Sequence, residues 1–223
     1  MKSKNIRVAI LGSTGYGGLQ SLRILNDHPN FEVTYLAGDT TVGKYWNDLF
    51  PFIPLNENYK INKIDPNINK DIADIVLLSL PNGLASQYVP TFLKNNLRVI
   101  DLSADYRFKS LQQWKYVYST HSITNNRNDE DLCSTAVYGL PELNFGLIKD
   151  TNLVACPGCY PTASLLPLLP FLKQGLIEYD GIVIDAKSGS SGGGRIANKN
   201  LLLAEISESI SPYQVIGHRH TPE

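Results

Sequence analysis

Apolar runs separated by polar segments recur through the first half of the chain. Residues 6–11 (I-R-V-A-I-L) are apolar nearly throughout, which is typical of a strand covered on both faces of a parallel sheet. The run at 75–80 (I-V-L-L-S-L) has the same character, and less continuous apolar segments predict strands at 31–37 and 98–102. Between the first two strands, leucines at 19, 22 and 25 recur at helical spacing. Strands that alternate with helices predict an α/β fold.

The remaining segments carry weaker patterns. Residues 42–72 and 112–131 lack clear periodicity and are predicted as loop-rich connections, the second of them an excursion on the surface. Two further helices are predicted, over 85–95 and 162–172. Two further strands are predicted, one over 181–186 and a short one just before His218. A shift in composition near residue 150 predicts a nucleotide-binding domain followed by a second domain.

A glycine-rich turn, G-S-T-G-Y-G-G, connects the first predicted strand to the first helix. Strand, glycine turn, helix and strand within about 30 residues is the context of dinucleotide-binding motifs. There, Gly12 would allow the tight turn, Gly15 the approach of a pyrophosphate, and Gly18 close packing of helix on strand. The spacing is G-x-x-G-x-x-G rather than G-x-G-x-x-G. The alternative is a βα turn without a ligand.

The end of the second predicted strand decides which dinucleotide is preferred. Asp39 could bind the ribose 2′-hydroxyl of NAD. Thr40 and Thr41, with Lys44 close by, could instead accept the 2′-phosphate of NADP. The residue types leave both choices open.

A second turn, P-G-C-Y-P-T, presents a cysteine before an apolar segment. Pro161 is of the type favoured in the first turn of a helix, so Cys159 is predicted at or just before a helix N-terminus. The unpaired N–H groups there favour a thiolate and could hold an oxyanion. Cys159 is therefore a candidate nucleophile, although a free cysteine is commonly a small buried hydrophobe.

Composition and charge exclude several classes of protein. The chain has 223 residues, 43% of them hydrophobic, and a net charge of −1, which predicts neither a nucleic-acid nor a membrane partner. Three cysteines without a secretory leader argue against a disulfide framework. Cys156 and Cys159 form a C-x-x-C pair, but neither a second pair nor a nearby histidine completes a metal site; a redox pair stays open. Without a signal segment or a long apolar run, a cytoplasmic protein is expected.

Three further clusters carry candidate chemistry. The segment D-L-S-A-D-Y-R-F at 101–108 is either part of a site or a set of solvated loop charges. The segment K-S-G-S-S-G-G-G-R at 187–195 is either a flexible linker or an anion-binding loop bracketed by two cations. His218 and His220 flank Arg219, and a histidine is the natural proton carrier near neutral pH.

Together these segments resemble the N-acetyl-γ-glutamyl-phosphate reductase family of the semialdehyde dehydrogenase superfamily. The blocks that carry the resemblance, in the family's order, are G-S-T-G-Y-G-G, L-S-L-P-N-G, V-I-D-L-S-A-D-Y-R-F, V-Y-G-L-P-E-L-N, P-G-C-Y-P-T-A, K-S-G-S-S-G-G-G-R and H-R-H-T-P-E. The resemblance implies a Rossmann domain over 1–152, and over 153–223 the first part of an α+β domain for catalysis and oligomerisation. It implies NADPH-dependent reduction of an acyl phosphate through a cysteine thioester, in a homotetramer.

The resemblance also implies the functional residues. The nucleophile falls on Cys159 and the catalytic histidine on His220 rather than His218. The implied cofactor-binding residues are Gly12, Ser13, Thr14, Gly15, Tyr16, Gly17, Gly18, Pro81, Ser188 and Gly189. The implied substrate-binding residues are Arg107, Lys187, Ser191, Arg195 and His218. No metal is expected.

The chain departs from the family pattern at several positions. Asn82 stands where histidine is usual, Cys156 where asparagine is usual, and Gly38 and Asp39 where serine and arginine are common. Family members also continue well past H-R-H-T-P-E, so a fragment is expected. The alternatives are a reductase of aspartyl or carrier-bound aminoadipyl phosphate, and a fragment that binds nucleotide without catalysis.

Overall fold

The computed structural model describes residues 5–53, 55 and 57–223. The chain divides into two compact units, residues 1–156 and residues 157–223. Each unit is described below by itself.

A parallel sheet organises the first unit. Within the described part of this unit it has seven strands in the order β3-β2-β1-β4-β5-β7-β6, and each neighbouring pair is parallel. The strands are β1 (Ile6–Leu11), β2 (Phe31–Gly38), β3 (Ile61–Lys63), β4 (Ile75–Leu78), β5 (Arg98–Asp101), β6 (Val137–Tyr138) and β7 (Leu153–Ala155). The α/β fold class is therefore confirmed, and the order reverses between β1 and β4.

The central strand shows why its sequence is continuously apolar. Side chains alternate across a strand, and Val8 and Ile10 of β1 enter one buried cluster while Ala9 and Leu11 enter another. All four are at most 2% exposed. Both faces of the sheet are thus covered, as the pattern at 6–11 predicts.

Helices connect the strands of this sheet. They are α1 (Tyr16–Asn26), α2 (Trp46–Leu49), α3 (Val89–Lys94), α4 (Leu111–Tyr118), α5 (Glu130–Thr135) and α6 (Pro141–Asp150). Leu19 and Leu22 of α1 pack in the cluster that holds Val8 and Ile10. The predicted helix over 85–95 is a 3₁₀ turn, Ala85–Gln87, followed by α3. Pro90, in the first turn of α3, has no N–H with which to continue the preceding turn.

Most of 112–131 is exposed, as the predicted surface excursion requires, but its first part was predicted wrongly, because it forms α4 and buries two aromatic side chains. Ser110 caps α4 by accepting a hydrogen bond from Gln113 N at 3.4 Å. Trp114 and Tyr118 of α4 are completely buried against the sheet. With Leu111 they follow the i, i+3, i+7 spacing of one helix face, which the polar residues between them obscure.

The end of the first unit lies a few residues beyond the predicted domain boundary. The prediction separates residues 152 and 153, immediately before β7. Because β7 hydrogen-bonds to β5 on one side and β6 on the other, it belongs to the sheet. The unit accordingly ends at Cys156.

The second unit is built on α7 (Cys159–Lys173), followed by 3₁₀ turns and the short helix α8 (Leu203–Ile206). The predicted helix at 162–172 is confirmed, although Pro167 and Pro170 interrupt its hydrogen-bond ladder. The strands predicted over 181–186 and before His218 were wrong. A strand needs a hydrogen-bonded neighbour, and the structure shows no strand in 157–223 for either segment to join.

Candidate functional site

The glycines of the turn after β1 have different roles in the structure. Gly12 has φ +77°, and a Cβ there would lie 2.1 Å from Ser79 O. A Cβ on Gly18 would lie 2.3 Å from Gly12 O. On Gly15, however, a Cβ would meet nothing closer than 3.5 Å. The fold therefore requires Gly12 and Gly18, whereas the absence of a side chain at Gly15 leaves space on the outside of the turn for a ligand.

The other residues of this turn divide between packing and exposure. A Cβ on Gly17 would come within 2.6 Å of Ser79 Oγ, so this glycine lets α1 pack beside the end of β4. Ser13 is buried, and its hydroxyl donates to Ala37 O at 3.0 Å. Tyr16 is 44% exposed at the start of α1. The inward-facing members thus fix the turn, and Tyr16 faces solvent.

Two threonine hydroxyls meet at the end of β2. Thr14 Oγ1 and Thr41 Oγ1 are 3.3 Å apart. A Cβ on Gly38 would lie 2.8 Å from Thr41 Oγ1. Asp39 is exposed beside them. Thr41, one of the two threonines considered for a 2′-phosphate, and Asp39, the residue considered for a 2′-hydroxyl, therefore lie at this strand end, and Thr14 joins them there.

The turn after β4 lies where the strand order reverses. Pro81 is exposed in this turn, and Asn82 and Gly83 follow it. In open α/β sheets, ligands bind outside the carboxyl ends of the strands at such a switch point. The β1 and β4 turns therefore form the natural crevice of the first unit.

The segment D-L-S-A-D-Y-R-F is a buried network rather than a set of solvated charges. Asp101 and Asp105 are both 0% exposed. Asp101 accepts hydrogen bonds from Ser103 N at 2.9 Å and Ser103 Oγ at 2.8 Å. Burial, with the nearby Asp105 carboxylate, raises the pKa of Asp101 to about 7.

Arg107, a predicted substrate-binding residue, is half-buried and bonded within the first unit. Its Nε donates to Cys156 O at 2.9 Å and its Nη2 to Leu102 O at 3.2 Å. Its Nη1 lies 3.3 Å from Tyr118 Oη. These contacts connect the β5 loop to the residue that follows β7.

The environments of the three cysteines differ sharply. Cys133 is buried, and desolvation raises the pKa of its thiol to about 11. Desolvation and the Asp101 carboxylate raise the pKa of the Cys156 thiol to about 12. Cys159 is exposed and is the first residue of α7. The geometry therefore favours Cys159 as the nucleophile and disfavours the other two thiols.

The residue before Cys159 carries two close contacts. Gly158 caps α7 in an extended conformation, and its N–H donates to Glu223 Oε1 at 2.6 Å. A Cβ on Gly158 would lie 2.6 Å from His220 Nε2. The imidazole of His220 therefore lies directly on the backbone adjacent to the cysteine, in a space that only glycine leaves.

Aromatic rings surround this turn. Tyr160 lies edge-on to His218 and His220, with ring centroids 5.1 Å and 6.0 Å away. The two imidazoles are 4.9 Å apart. The hydroxyls of Tyr160 and Tyr213 share a short hydrogen bond, and burial with this bond raises the pKa of Tyr213 to about 12. The helix start thus carries imidazoles and phenols beside an exposed thiol.

The glycine loop at 187–195 is exposed within the second unit. Lys187 pairs with Asp185, and Ser188 Oγ donates to Gly189 O at 3.0 Å. Ser191 lies in a 3₁₀ turn, and Arg195 is exposed. The structure thus pairs Lys187 with a neighbouring carboxylate and leaves the loop open to solvent.

Four residues of these clusters were missed from the sequence. Tyr213 carries no local signal, because its partner Tyr160 is 53 residues away. Arg127 pairs with the nearby Asp129, but its contact with the D-L-S-A-D-Y-R-F network, a hydrogen bond to Asp105 O, spans 22 residues. Tyr160 and Glu223, by contrast, stand inside the P-G-C-Y-P-T and H-R-H-T-P-E blocks. Across residues 5–53, 55 and 57–223, no group of three His, Cys, Asp or Glu side chains could hold a metal ion, and no helix is both long and apolar enough to cross a bilayer.

A parallel sheet with a glycine turn at its switch point, in a chain that also exposes a thiol at a helix start, defines a dinucleotide-binding protein of the dehydrogenase class. The model of the semialdehyde dehydrogenase NAD-binding domain matches residues 7–151, and that of the semialdehyde dehydrogenase dimerisation domain matches residues 159–223. The chain belongs to the semialdehyde dehydrogenase family.

Particular relatives narrow the comparison. Over 223 residues the chain is 58% identical to an N-acetyl-gamma-glutamyl-phosphate reductase of Prochlorococcus marinus, covering all of this chain and 62% of that protein. It is 55% identical to a Synechococcus protein of the same name, covering 99% of this chain and 62% of that one. The chain thus spans about three fifths of the length of the curated relatives it matches.

Solved structures resemble the chain in fold. An aspartate semialdehyde dehydrogenase with NADP from Candida albicans has a TM-score of 0.56 at 17% identity, covering 77% of this chain and 48% of that one. Aspartate semialdehyde dehydrogenase II from Vibrio cholerae has a TM-score of 0.55 at 20% identity, covering 76% and 47%. At these identities the likeness concerns the fold alone.

Proposed function

We propose that this chain carries the chemistry of an NADPH-dependent reductase that converts N-acetylglutamyl 5-phosphate to N-acetylglutamate 5-semialdehyde and phosphate, a step of arginine biosynthesis. The observation that carries the proposal is the exposed Cys159 at the start of α7, with His220 on the adjacent glycine. Identity of 58% to curated reductases of this name supports the choice of substrate.

The glycine turn after β1 fits a dinucleotide. The outward side of Gly15 has the space that a pyrophosphate backbone requires, and the fold itself does not need glycine there. We assign the cofactor to residues of this turn, of the β4 turn and of the glycine loop: Gly12, Ser13, Thr14, Gly15, Tyr16, Gly17, Gly18, Pro81, Ser188 and Gly189. The paired hydroxyls of Thr14 and Thr41 favour NADP, because they can donate to a 2′-phosphate. When bound, NADPH supplies the hydride.

Cys159 performs the covalent step. Its thiolate attacks the acyl carbon, a C–S bond forms, and the C–O bond to phosphate breaks with its electron pair leaving on phosphate. His220 accepts the thiol proton beforehand and returns it to sulfur when the C–S bond later breaks. Because the Gly158 amide is bonded to Glu223, we assign the oxyanion to the amides of Cys159 and Tyr160 in the first turn of α7.

The substrate's anionic groups need cations and donors. We assign them to Arg107, Lys187, Ser191, Arg195 and His218. We assign the first unit, residues 1–156, to the cofactor domain, and the second unit, residues 157–223, to the first part of the catalytic domain. The match to a dimerisation domain supports a homo-oligomer; a tetramer in the cytoplasm is the specific form that we propose, and light scattering of the purified protein measures its mass.

Replacing the nucleophile tests the proposal. Cys159→Ser in the full-length protein should lower reductase turnover by about 10³-fold or more, because a serine hydroxyl is a far weaker nucleophile than a thiolate. NADPH affinity should stay within about twofold of the unsubstituted protein. Turnover is followed by NADPH absorbance, and affinity by the fluorescence of bound NADPH.

Cys156→Ser is the matched control. It removes a thiol three positions away that is protonated at neutral pH, so turnover should persist. Unchanged turnover in Cys159→Ser would contradict the assignment of the nucleophile. Activity on aspartyl or aminoadipyl phosphate exceeding that on N-acetylglutamyl phosphate would contradict the assignment of the substrate.

A further inference from the structure

A buried carboxylate holds the turn that follows β4. Asp105 is 0% exposed, and its two oxygens accept backbone hydrogen bonds from Gly83 N at 2.6 Å and Ser86 N at 3.0 Å. Ser86 lies in the 3₁₀ turn Ala85–Gln87, which begins two residues after Gly83. One side chain from the β5 loop therefore fixes both ends of the neighbouring turn.

The same turn is held from its other side. Asn82 Oδ1 accepts from Ala104 N at 3.2 Å, and Asn82 Nδ2 donates to His121 O at 3.3 Å. Gly83 has φ +87°, and a Cβ there would lie 2.7 Å from Thr124 O. The turn thus has little freedom while these contacts persist.

The buried guanidinium of Arg127 stabilises the Asp105 carboxylate. Arg127 Nη1 lies 4.0 Å from Asp105 Oδ1 and donates to Asp105 O at 2.8 Å. Its other nitrogens bond both oxygens of Asp129, at 2.9 Å and 3.0 Å. The guanidinium carbon lies 4.3 Å from the ring centroid of Trp114 and 5.0 Å from that of Tyr106. A lone buried carboxylate is costly, so this pairing lets Asp105 remain an acceptor.

The position of the turn gives this network a ligand-related role. The β4 turn lies on the opposite side of β1 from β2, whose end faces the ribose of the adenosine half in dinucleotide-binding sheets. The β4 turn therefore borders the half that carries the nicotinamide.

We propose that Asp105 is a positioning residue for the cofactor, holding the turn 81–86 against the nicotinamide half of the dinucleotide through the amides of Gly83 and Ser86. The inference rests on the proposed function, since it requires that the first unit bind NADPH. It adds a residue that touches no ligand itself and acts through a backbone turn.

Asp105→Asn tests the proposal. The amide nitrogen of asparagine would face one of the two N–H groups, so that hydrogen bond is lost and the turn is released at one end. NADPH should bind at least about tenfold more weakly. 2′,5′-ADP, which has only the adenosine half, should bind within about twofold of the unsubstituted protein. A purely structural defect would weaken both ligands, so the difference between them is the decisive readout.

Asp129→Asn is the matched control. It removes a carboxylate that pairs with Arg127 but bonds to no amide of the turn. It should lower the thermal unfolding midpoint, and any change in affinity should be the same for NADPH and for 2′,5′-ADP. Asn82→Ala is the second variant if Asp105→Asn fails to fold. It removes the opposite anchor without disturbing a buried charge, and it too should weaken NADPH binding selectively.

The outcomes distinguish this inference from the function on which it depends. If the unsubstituted protein binds neither NADPH nor 2′,5′-ADP, the proposed function fails first. If it binds both, and Asp105→Asn and Asn82→Ala bind NADPH as tightly as it does, the positioning role is overturned. Equal weakening of the two ligands in these variants overturns it as well.

Discussion

Two glycines of the turn after β1 should respond in opposite ways to the same substitution. Alanine at Gly12 and alanine at Gly15 add one methyl group each, three residues apart in the same turn. The structure predicts that Gly12→Ala damages the fold, whereas Gly15→Ala leaves the fold intact and damages cofactor binding. This contrast separates the structural role of a glycine from its ligand-binding role.

The cost at Gly12 follows from its backbone and its neighbour. At φ +77° an alanine pays about 1–2 kcal/mol for the left-handed conformation. Its Cβ would also lie 2.1 Å from Ser79 O, a backbone atom that moves only if the end of β4 moves. Both penalties fall on a domain whose total stability is about 5–15 kcal/mol. Gly12→Ala should therefore lower the free energy of unfolding by several kcal/mol.

The cost at Gly15 is small by the same reasoning. Its φ of −74° and ψ of 166° suit any residue, and the nearest atom to a Cβ is at 3.5 Å. Removing a glycine from the unfolded chain gains about 0.4–1 kcal/mol. Alanine is a poorer N-cap than glycine, which offsets that gain. The variant should unfold within about 1 kcal/mol of the unsubstituted protein and bind NADPH at least about tenfold more weakly.

Thermal unfolding and NADPH fluorescence titration measure the two effects on the same samples. Gly146→Ala is the control, since its Cβ would meet no atom within 4 Å and Gly146 lies in α6, away from the turn. It should change neither the midpoint through strain nor the affinity. Full NADPH affinity in Gly15→Ala, or a stable Gly12→Ala, would refute the division of roles.

Two further predictions concern buried and exposed titratable groups. Iodoacetamide should label Cys159 first, because Cys133 is buried, Cys156 is half-buried, and the pKa values of these two thiols are raised to about 11 and about 12. Labelling of Cys156 before Cys159, measured by mass spectrometry, would contradict this. Burial raises the pKa of Asp101 from its ordinary value of 3.8 to about 7. The buried carboxylate therefore does not destabilise the fold below pH 3.8, and the destabilisation grows as the pH rises towards 7. Asp101→Asn should therefore gain urea resistance relative to the unsubstituted protein between about pH 5 and about pH 8, and identical pH profiles would count against the buried charge.

The sheet of the first unit was largely predictable because its signal is local. A strand buried on both faces must be apolar at successive positions, and Val8 through Leu11 meet that condition. The glycine turn was predictable for the same reason, since the steric demands at Gly12 and Gly18 arise within one βα connection. The edge strand β3, three residues long, was missed because it has too few positions to form a pattern.

The second unit shows where local signals fail. Residues 181–186 are rich in β-branched side chains, and the sequence predicts a strand there. Val183 is nevertheless 88% exposed and in no strand. A β-branched run favours extended backbone, but a strand forms only when another segment supplies the hydrogen bonds. Composition measures the first condition and carries no information about the second.

The charged segment at 101–108 was also ambiguous from the sequence, because its partner lies elsewhere in the chain. From the sequence, its acids could equally be solvated or part of a site. What decides the matter is Arg127, which reaches Asp105 from 22 residues away and lies over Trp114 of α4. Because Arg127 pairs with Asp105, this carboxylate can stay buried while its two oxygens accept hydrogen bonds from Gly83 N and Ser86 N. Trp114, which lies in a segment predicted as a surface excursion, thus packs against the cation that pairs with this carboxylate.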